Sequence, residues 1–126
     1  MKFIKTKIDN VILIEPEPFE DTRGVFRRHF CTKEFNDHGI TTDIKQANIS
    51  ENKFAYTLRG FHYQIAPYGE GKTLSCLKGK LYDVVVDLRP DSETFKQWIS
   101  LELTEDNKKS IHIPPGCANA FLTLEN

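Results

Sequence analysis

The chain has 126 residues, which allows one compact domain at about 100–200 residues per domain. Hydrophobic residues make up 39% and charged residues 28%, and 17 Lys and Arg against 18 Asp and Glu leave a formal charge of -1. This composition supports a packed core and lacks the basic excess of proteins that bind nucleic acid through its phosphates. No apolar run approaches the roughly 18 residues of a membrane-spanning helix, and we expect no signal peptide.

Three cysteines, Cys31, Cys76 and Cys117, are widely spaced and form no Cys-x-x-Cys pair. Such an odd, scattered set is typical of reduced thiols and not of a disulfide framework or a zinc knuckle. We therefore expect a cytoplasmic protein.

Apolar and polar residues alternate with period two along most of the chain, and polar turn residues separate these runs. The strands predicted from this pattern lie at residues 3–8, 11–14, 25–30, 44–50, 56–63, 73–77, 81–88, 98–103, 110–113 and 120–124. One short helix is predicted over residues 32–39, where Gly39 can end it in a left-handed conformation. Many short strands and almost no helix predict an all-β antiparallel sandwich or barrel.

The densest set of chemically active residues is Arg59-Gly60-Phe61-His62, followed at a short distance by Lys72. On a regular strand Arg59 and His62 would point to opposite faces, so both can reach one cavity only if the strand bulges near Gly60. A lone histidine is more often structural than catalytic. A histidine near two cations, however, suits a phosphorylated or enolate-forming substrate.

Two further segments carry weaker signals. Gln46, Asn48 and Ser50 would share one face of a strand, either as its wet side or as hydrogen-bonding groups at a barrel mouth. The Pro-Pro-Gly turn before Asn119 has the form of a Pro-x-Gly-x-x-His stretch of metal-binding cupins, with asparagine at the histidine. Those proteins also need a His-x-His pair, which the scattered histidines here do not form, so we expect no transition-metal site.

Taken together, these segments closely resemble the dTDP-4-dehydrorhamnose 3,5-epimerase family of cupin-like enzymes. The matching stretches are residues 19–26, 46–50, 58–64, 71–72, 79, 82–89 and 113–116. The resemblance implies a jelly roll, or double-stranded β-helix, with one short surface helix, and a homodimer in which the N-terminal part of one subunit completes the site of the other. It also implies that residues 1–126 form one such domain without the family's C-terminal portion.

The reaction implied by the resemblance is inversion of C3, C5 or both in a nucleotide-linked 4-keto-6-deoxyhexose, through an enolate. Neither a cofactor nor a metal is expected, and the pathway implied is dTDP-rhamnose and cell-surface polysaccharide biosynthesis. The alternatives are a mono-epimerase, a 3,4-ketoisomerase, and a catalytically silent module for nucleotide-sugar binding or dimerisation.

The family's functional positions carry over residue by residue. The implied catalytic residues are the base His62 and Lys72 beside the keto oxygen. The implied substrate-binding residues are Phe19, Arg23, Gln46, Asn48, Arg59 and Asn119, of which Phe19 and Arg23 would act across the dimer. Asp83 is expected to have a structural role beside the site, without contacting the substrate.

Three departures from the family pattern stand out. Arg28 occupies the place of a usual glutamate near the nucleotide, and Asn119 that of a common histidine. The family's acid, a tyrosine, and the aspartate that orients its histidine both come after the position of Asn126.

Overall fold

Antiparallel strands account for nearly all regular structure in the computed structural model, which describes residues 1–126. The strands are β1 (Lys2–Lys5), β2 (Ile12–Glu15), β3 (Phe19–Asp21), β4 (Gly24–Phe26), β5 (Leu58–His62), β6 (Lys72–Ser75), β7 (Lys80–Asp87), β8 (Trp98–Thr104), β9 (Ser110–Ile113) and β10 (Cys117–Thr123). The helix α1 (Thr32–Asp37) has six residues. None of the helical structure is long and apolar enough to cross a membrane.

Early and late parts of the chain alternate within two four-stranded sheets. The first sheet has the order β1-β2-β9-β6 and the second the order β5-β10-β7-β8, while β3 and β4 form a separate hairpin. Pairing of β2 with β9 and of β5 with β10 brings residues about 100 and 60 positions apart into register. This interleaving is the pairing expected of a jelly roll, and the predicted all-β class is confirmed.

The main core lies where the two sheets face each other. Along β7 the alternate residues Leu81, Asp83, Val85 and Asp87 are buried, as period-two geometry requires of a strand with one face inward. The other buried core residues are Ile8, Val11, Cys76, Leu103, Ile111, Ile113 and Cys117. Two of the inward positions on β7 are thus carboxylates, and each has a distinct environment described below.

A smaller core fixes α1 on the outer face of the first sheet. Phe35 of α1 packs with Ile12 and Ile14 of β2 and with Ile40, and the ring of Phe3 meets Phe35 edge-on at 5.6 Å between centroids. Burying one phenylalanine in this way contributes about 1.5–3 kcal/mol. The helix is short, as expected, and Gly39 lies just beyond it with a φ of 77°.

The predicted strand at residues 44–50 is wrong, because this segment forms no ladder with any neighbour and is largely exposed. An alternating pattern alone cannot supply the second strand that a ladder needs. The hairpin of β3 and β4 was only partly foreseen. The predicted strand at residues 25–30 corresponds in part to β4, which ends at Phe26, and β3 was not predicted as a strand.

Asp87, at the end of β7, stabilises the loop that follows it through hydrogen bonds. Its carboxylate accepts hydrogen bonds from the backbone N–H and guanidinium of Arg89 and from the hydroxyls of Ser92 and Thr94, at 2.5–3.1 Å. Burial alone would raise the pKa of Asp87, but these donors outweigh it and hold the pKa well below its ordinary value. Arg89 also donates to the carbonyl of Asp9 at 2.7 Å, which ties the loop to the turn between β1 and β2.

Replacing Asp87 by asparagine should therefore lower the free energy of unfolding at pH 7 by about 3–5 kcal/mol, because Arg89 loses its buried partner. A carboxyl whose folded pKa is depressed stabilises the protein above the unfolded pKa, near 4, and loses this effect as pH falls below it. Urea unfolding from pH 7 to pH 3 should show that the difference in the free energy of unfolding between wild type and variant becomes smaller as the pH falls. A deficit that stays constant over that range would contradict this account, and Asp91→Asn, an exposed change in the same loop, is the matched control.

Candidate active site

A bulge in β5 determines which of its side chains share a face of the strand. His62 lies opposite Asn119 of β10 and Arg59 lies opposite Phe121, so three steps along β5 match two steps along β10. Asn119 and Phe121 share one face of β10, and Phe121 packs against the main core. Because the bulge absorbs one residue, Arg59 and His62 lie on the same face of the ladder although they are three positions apart.

Gly60 makes this bulge possible. Its φ is 115°, and a Cβ at this position would lie 2.6 Å from the carbonyl oxygen of Asn119 and 2.8 Å from the Cα of Ala120. Only glycine combines this backbone conformation with so close an approach to β10.

We expect Gly60→Ala to lower the free energy of unfolding by about 1–3 kcal/mol and to disturb the positions of Arg59 and His62. Gly39→Ala is the matched control, since Gly39 also has a positive φ but has open space around the missing Cβ. Thermal unfolding of the two variants separates backbone strain from collision with β10. Equal decreases in the free energy of unfolding for the two variants would show that the collision of the new Cβ with β10 contributes nothing to the loss in Gly60→Ala.

A small open cleft brings the two predicted catalytic residues together. Both His62 at the end of β5 and Lys72 at the start of β6 line it, although the two strands belong to different sheets. The other lining residues are Tyr63, Gln64, Glu70, Ile113, Gly116 and Cys117. An imidazole that can take a proton and an amine that can stabilise an anion thus share one opening.

Lys72 is half-buried in this cleft. Burial lowers the pKa of its amine, and the nearby carboxylates of Glu70 and Asp83 act in the opposite direction. Burial is the larger of these opposing effects on the amine of Lys72.

Asp83, on β7, is fully buried. Its Oδ1 accepts a hydrogen bond of 2.7 Å from the side-chain amide of Asn119, while Oδ2 has no hydrogen-bond partner. Burial raises the pKa of Asp83 to about 7, against the opposing effects of the Asn119 hydrogen bond and the charge of Lys72. Asn119 is 2% exposed, and its amide also donates to the carbonyl of Val84 at 3.0 Å.

The remaining predicted binding residues do not line the cleft. Gln46 and Asn48 lie in the exposed segment without strands, where the amide of Asn48 donates to Gln46 at 3.2 Å. Phe19 lies on β3, 72% exposed. Arg23, in the turn of the hairpin, donates to Asp21 at 2.6 Å.

Two other cations have partners outside the cleft. Arg59 donates to the side-chain oxygen of Asn52 at 3.3 Å, so its guanidinium is directed toward the exposed segment before β5. Arg28, at the position of the family's glutamate, forms an ion pair of 3.0 Å with Glu34 of α1.

Sequence reasoning missed Glu70, the one carboxylate that lines the cleft. No local pattern indicated this, because Glu70 lies outside any strand, in the segment before β6. The buried link between Asp83 and Asn119 joins residues 36 positions apart, and no local pattern indicates such a pair. No three His, Cys, Asp or Glu side chains come together in a way that could hold a metal ion.

Comparison with known proteins shows the family to which the chain belongs. The family model described as dTDP-4-dehydrorhamnose 3,5-epimerase matches residues 5–126. The chain belongs to the dTDP-4-dehydrorhamnose 3,5-epimerase family. It is 39% identical to the enzyme of that name from Shigella flexneri, over 100% of this chain and 70% of the relative, and 38% identical to the one from Sinorhizobium fredii, over 99% and 64%.

Solved structures of the dTDP-4-dehydrorhamnose 3,5-epimerase family share the fold. The Bacillus anthracis enzyme with TDP and PPi bound has a TM-score of 0.95 at 40% identity, covering 98% of this chain and 71% of its own. The Legionella pneumophila enzyme in complex with dTDP-4-keto-L-rhamnose has a TM-score of 0.89 at 38% identity, covering 98% and 65%. The predicted cupin-like jelly roll is therefore confirmed.

The family consists of isomerases, so the epimerase prediction is confirmed at the level of the family. Its structural relatives include a 3'-monoepimerase from Streptomyces bikiniensis in complex with dTDP-quinovose, with a TM-score of 0.88 at 30% identity, covering 96% of this chain and 61% of that one. The chain spans about two thirds of the length of these relatives.

Proposed function

We propose that this protein binds a dTDP-linked 4-keto-6-deoxyhexose and inverts C3, C5 or both by removing and returning a proton. The observation that carries the proposal is the shared cleft of His62 and Lys72, in a chain of the epimerase family. The cytoplasmic location expected from the three cysteines remains part of the proposal.

The chemistry follows from these two side chains. A 4-keto group acidifies the hydrogens at C3 and C5, because the resulting carbanion delocalises onto the ketone oxygen. Neutral His62 takes the proton, and the ammonium of Lys72 stabilises the charge that develops on O4. Return of a proton to the opposite face of the ring inverts the stereocentre. The family resemblance assigns that step to a tyrosine beyond residue 126.

Binding of the nucleotide would draw on residues outside the cleft. We propose that Arg59, Gln46 and Asn48 contact the sugar and diphosphate. Phe19 and Arg23 would contact the nucleotide in the site of a partner subunit, which explains why the hairpin carries them away from the cleft of their own chain.

Exposed aromatic and aliphatic side chains support a homodimer. The hairpin exposes Phe19 and Phe26, and the segment through β5 exposes further large apolar groups, namely Ile49, Phe54, Tyr56, Leu58 and Phe61. Large exposed apolar groups of this kind are typical of surfaces that bind a partner.

A mixing experiment tests this shared site. Arg23→Ala and His62→Asn should each be inactive as pure dimers, whereas a re-associated mixture should recover up to about a quarter of the activity through sites that combine two intact halves. The control is a mixture of His62→Asn with Lys72→Ala, which changes the same half of the site and should recover nothing. Absence of recovery in a mixture shown to exchange subunits would contradict the shared site.

Proton exchange distinguishes the proposed reaction from its alternatives. The protein is incubated with dTDP-4-keto-6-deoxyglucose in deuterated water, and incorporation at C3 and C5 is counted by NMR and mass spectrometry. Exchange at both positions indicates the 3,5-epimerase, and exchange at one indicates a mono-epimerase of the kind seen among the structural relatives. A 3,4-ketoisomerase would move the ketone, and dTDP binding without exchange would overturn the proposal in favour of a silent binding module.

A further inference from the structure

Glu70 carries a negative charge at the opening where an anionic ligand is proposed to bind. Lys72 lines the same cleft, and its place is set by pairing with Ile113 in the ladder of β6 and β9. The proposed ligand has a negatively charged diphosphate, which a carboxylate repels. Proton transfer by His62 and charge stabilisation by Lys72 leave Glu70 without a role.

Two close contacts position the backbone on either side of Glu70. A Cβ added at Gly69 would lie 3.3 Å from the Cβ of Pro115, and one added at Gly71 would lie 3.4 Å from its Cδ. The missing side chains therefore let this segment pack closely against the ring of Pro115. Because that ring belongs to the rigid Pro-Pro-Gly turn, whose glycine also lines the cleft, the backbone of Glu70 is held at the opening.

Carboxylates and sugar hydroxyls are chemically complementary. A carboxylate oxygen only accepts hydrogen bonds, while a hydroxyl has one hydrogen to donate. In a nucleotide-linked 4-keto-6-deoxyhexose only C2 and C3 bear free hydroxyls, because C1 carries the nucleotide, C4 is the ketone and C5 holds the ring oxygen. With Lys72 at O4, the adjacent hydroxyl is that of C3, and Glu70 lies two positions before Lys72 in the chain.

We propose that Glu70 is a specificity-determining residue that accepts a hydrogen bond from the C3 hydroxyl of the hexose while Lys72 contacts O4. The inference rests on the proposed function, since it adds a contact to the same sugar. Oxygens on two adjacent carbons are then held by side chains of opposite charge, which fixes the orientation of the ring. Repulsion of the diphosphate by Glu70 keeps the phosphates away from this part of the cleft.

Calorimetry with unreactive ligands tests the contact. The probes are dTDP-6-deoxyglucose and its 3-deoxy and 2-deoxy analogues, which have no ketone. For the wild type, loss of the 3-hydroxyl should weaken binding about tenfold, as expected for a hydrogen bond to a charged group. In Glu70→Ala the same loss should change the Kd less than about twofold. The matched control is Glu93→Ala, because Glu93 is exposed between β7 and β8 and does not line the cleft.

The ratio of affinities separates a direct contact from an effect through Lys72. Removal of Glu70 also takes an opposite charge away from Lys72, and this change would alter the affinity for all three sugars by a similar factor. A 3-hydroxyl preference that remains in Glu70→Ala overturns the inference. Loss of a 2-hydroxyl preference in its place would assign Glu70 to the other hydroxyl and overturns the inference as well.

Glu70→Gln and dTDP alone provide a second readout. Glutamine keeps an acceptor oxygen without the charge, so this variant should retain part of the 3-hydroxyl preference that Glu70→Ala loses. Both variants should bind dTDP at least as tightly as the wild type, because a negative charge near the diphosphate is gone. Weaker binding of dTDP would contradict the repulsion.

The contact and the reaction can fail separately. Glu70 is exposed, so its variants should fold like the wild type. A wild type with the 3-hydroxyl preference but no deuterium exchange would overturn the proposed epimerase and leave the contact standing. Exchange without that preference would overturn the contact and leave the reaction standing. A wild type that binds none of the three sugars would overturn both.

Discussion

Exchange of deuterium into the sugar should fall by a factor of about 10²–10⁴ when His62 is replaced by asparagine. Asparagine has a similar size and can hydrogen-bond, but it cannot accept a proton at physiological pH. The position is exposed at the end of β5, so the variant should fold normally. The measurement is the rate of incorporation at C3 and C5 by NMR, together with the Kd for dTDP by calorimetry.

His29→Asn is the control for this experiment, because His29 is exposed and does not line the cleft. Its exchange rate should match the wild type. If His62→Asn exchanged protons at the wild-type rate, His62 would have to be removed from the base role. A large loss of dTDP affinity would instead identify His62 as a binding residue.

Lys72→Ala should slow exchange by about 10²–10³, which corresponds to the loss of one group that stabilises the developing oxyanion, about 3–4 kcal/mol. The loss should appear in kcat more than in the binding of substrate, since the charge is needed most when the enolate forms. Lys78→Ala, an exposed change in the turn between β6 and β7, is the matched control.

The pH dependence provides a second check on Lys72. Burial lowers the pKa of its amine, so the wild-type rate should fall as alkaline pH converts the ammonium to the neutral amine. Lys72→Arg keeps a positive charge at all accessible pH, so this alkaline limb should move upward or disappear even if the rate is reduced. An alkaline limb that remains in Lys72→Arg would have to belong to another group.

Local patterns predicted the parts of the structure that depend on local rules. The period-two alternation identified the core strands, and the spacing of Arg59 and His62 around a glycine indicated the bulge that the β5–β10 register contains. The meeting of His62 and Lys72 was expected from the family resemblance, because the two residues belong to different sheets and no local pattern joins them.

Features that depend on distant partners were not predicted from the sequence. Residues 44–50 alternate like a strand but have no neighbour to pair with, so the pattern was misleading there. The buried link of Asp83 and Asn119 arises from the packing of β7 beside β10, whose register only the folded chain defines. Glu70 lies outside any strand, where alternation gives no guide to the direction of its side chain.

The geometry at Gly60 also separates two effects that an extra residue can have. A chain that ran directly from Arg59 to Phe61 would keep Arg59 opposite Phe121 and His62 opposite Asn119, on an ordinary ladder without the insertion. The orientation of the two side chains therefore does not by itself require the added glycine. What the insertion contributes is curvature, since a bulged strand bends and twists more strongly at that point. Deletion of Gly60 would therefore straighten β5 beside the imidazole of His62. Arg59 and His62 would still lie on the same face of the strand.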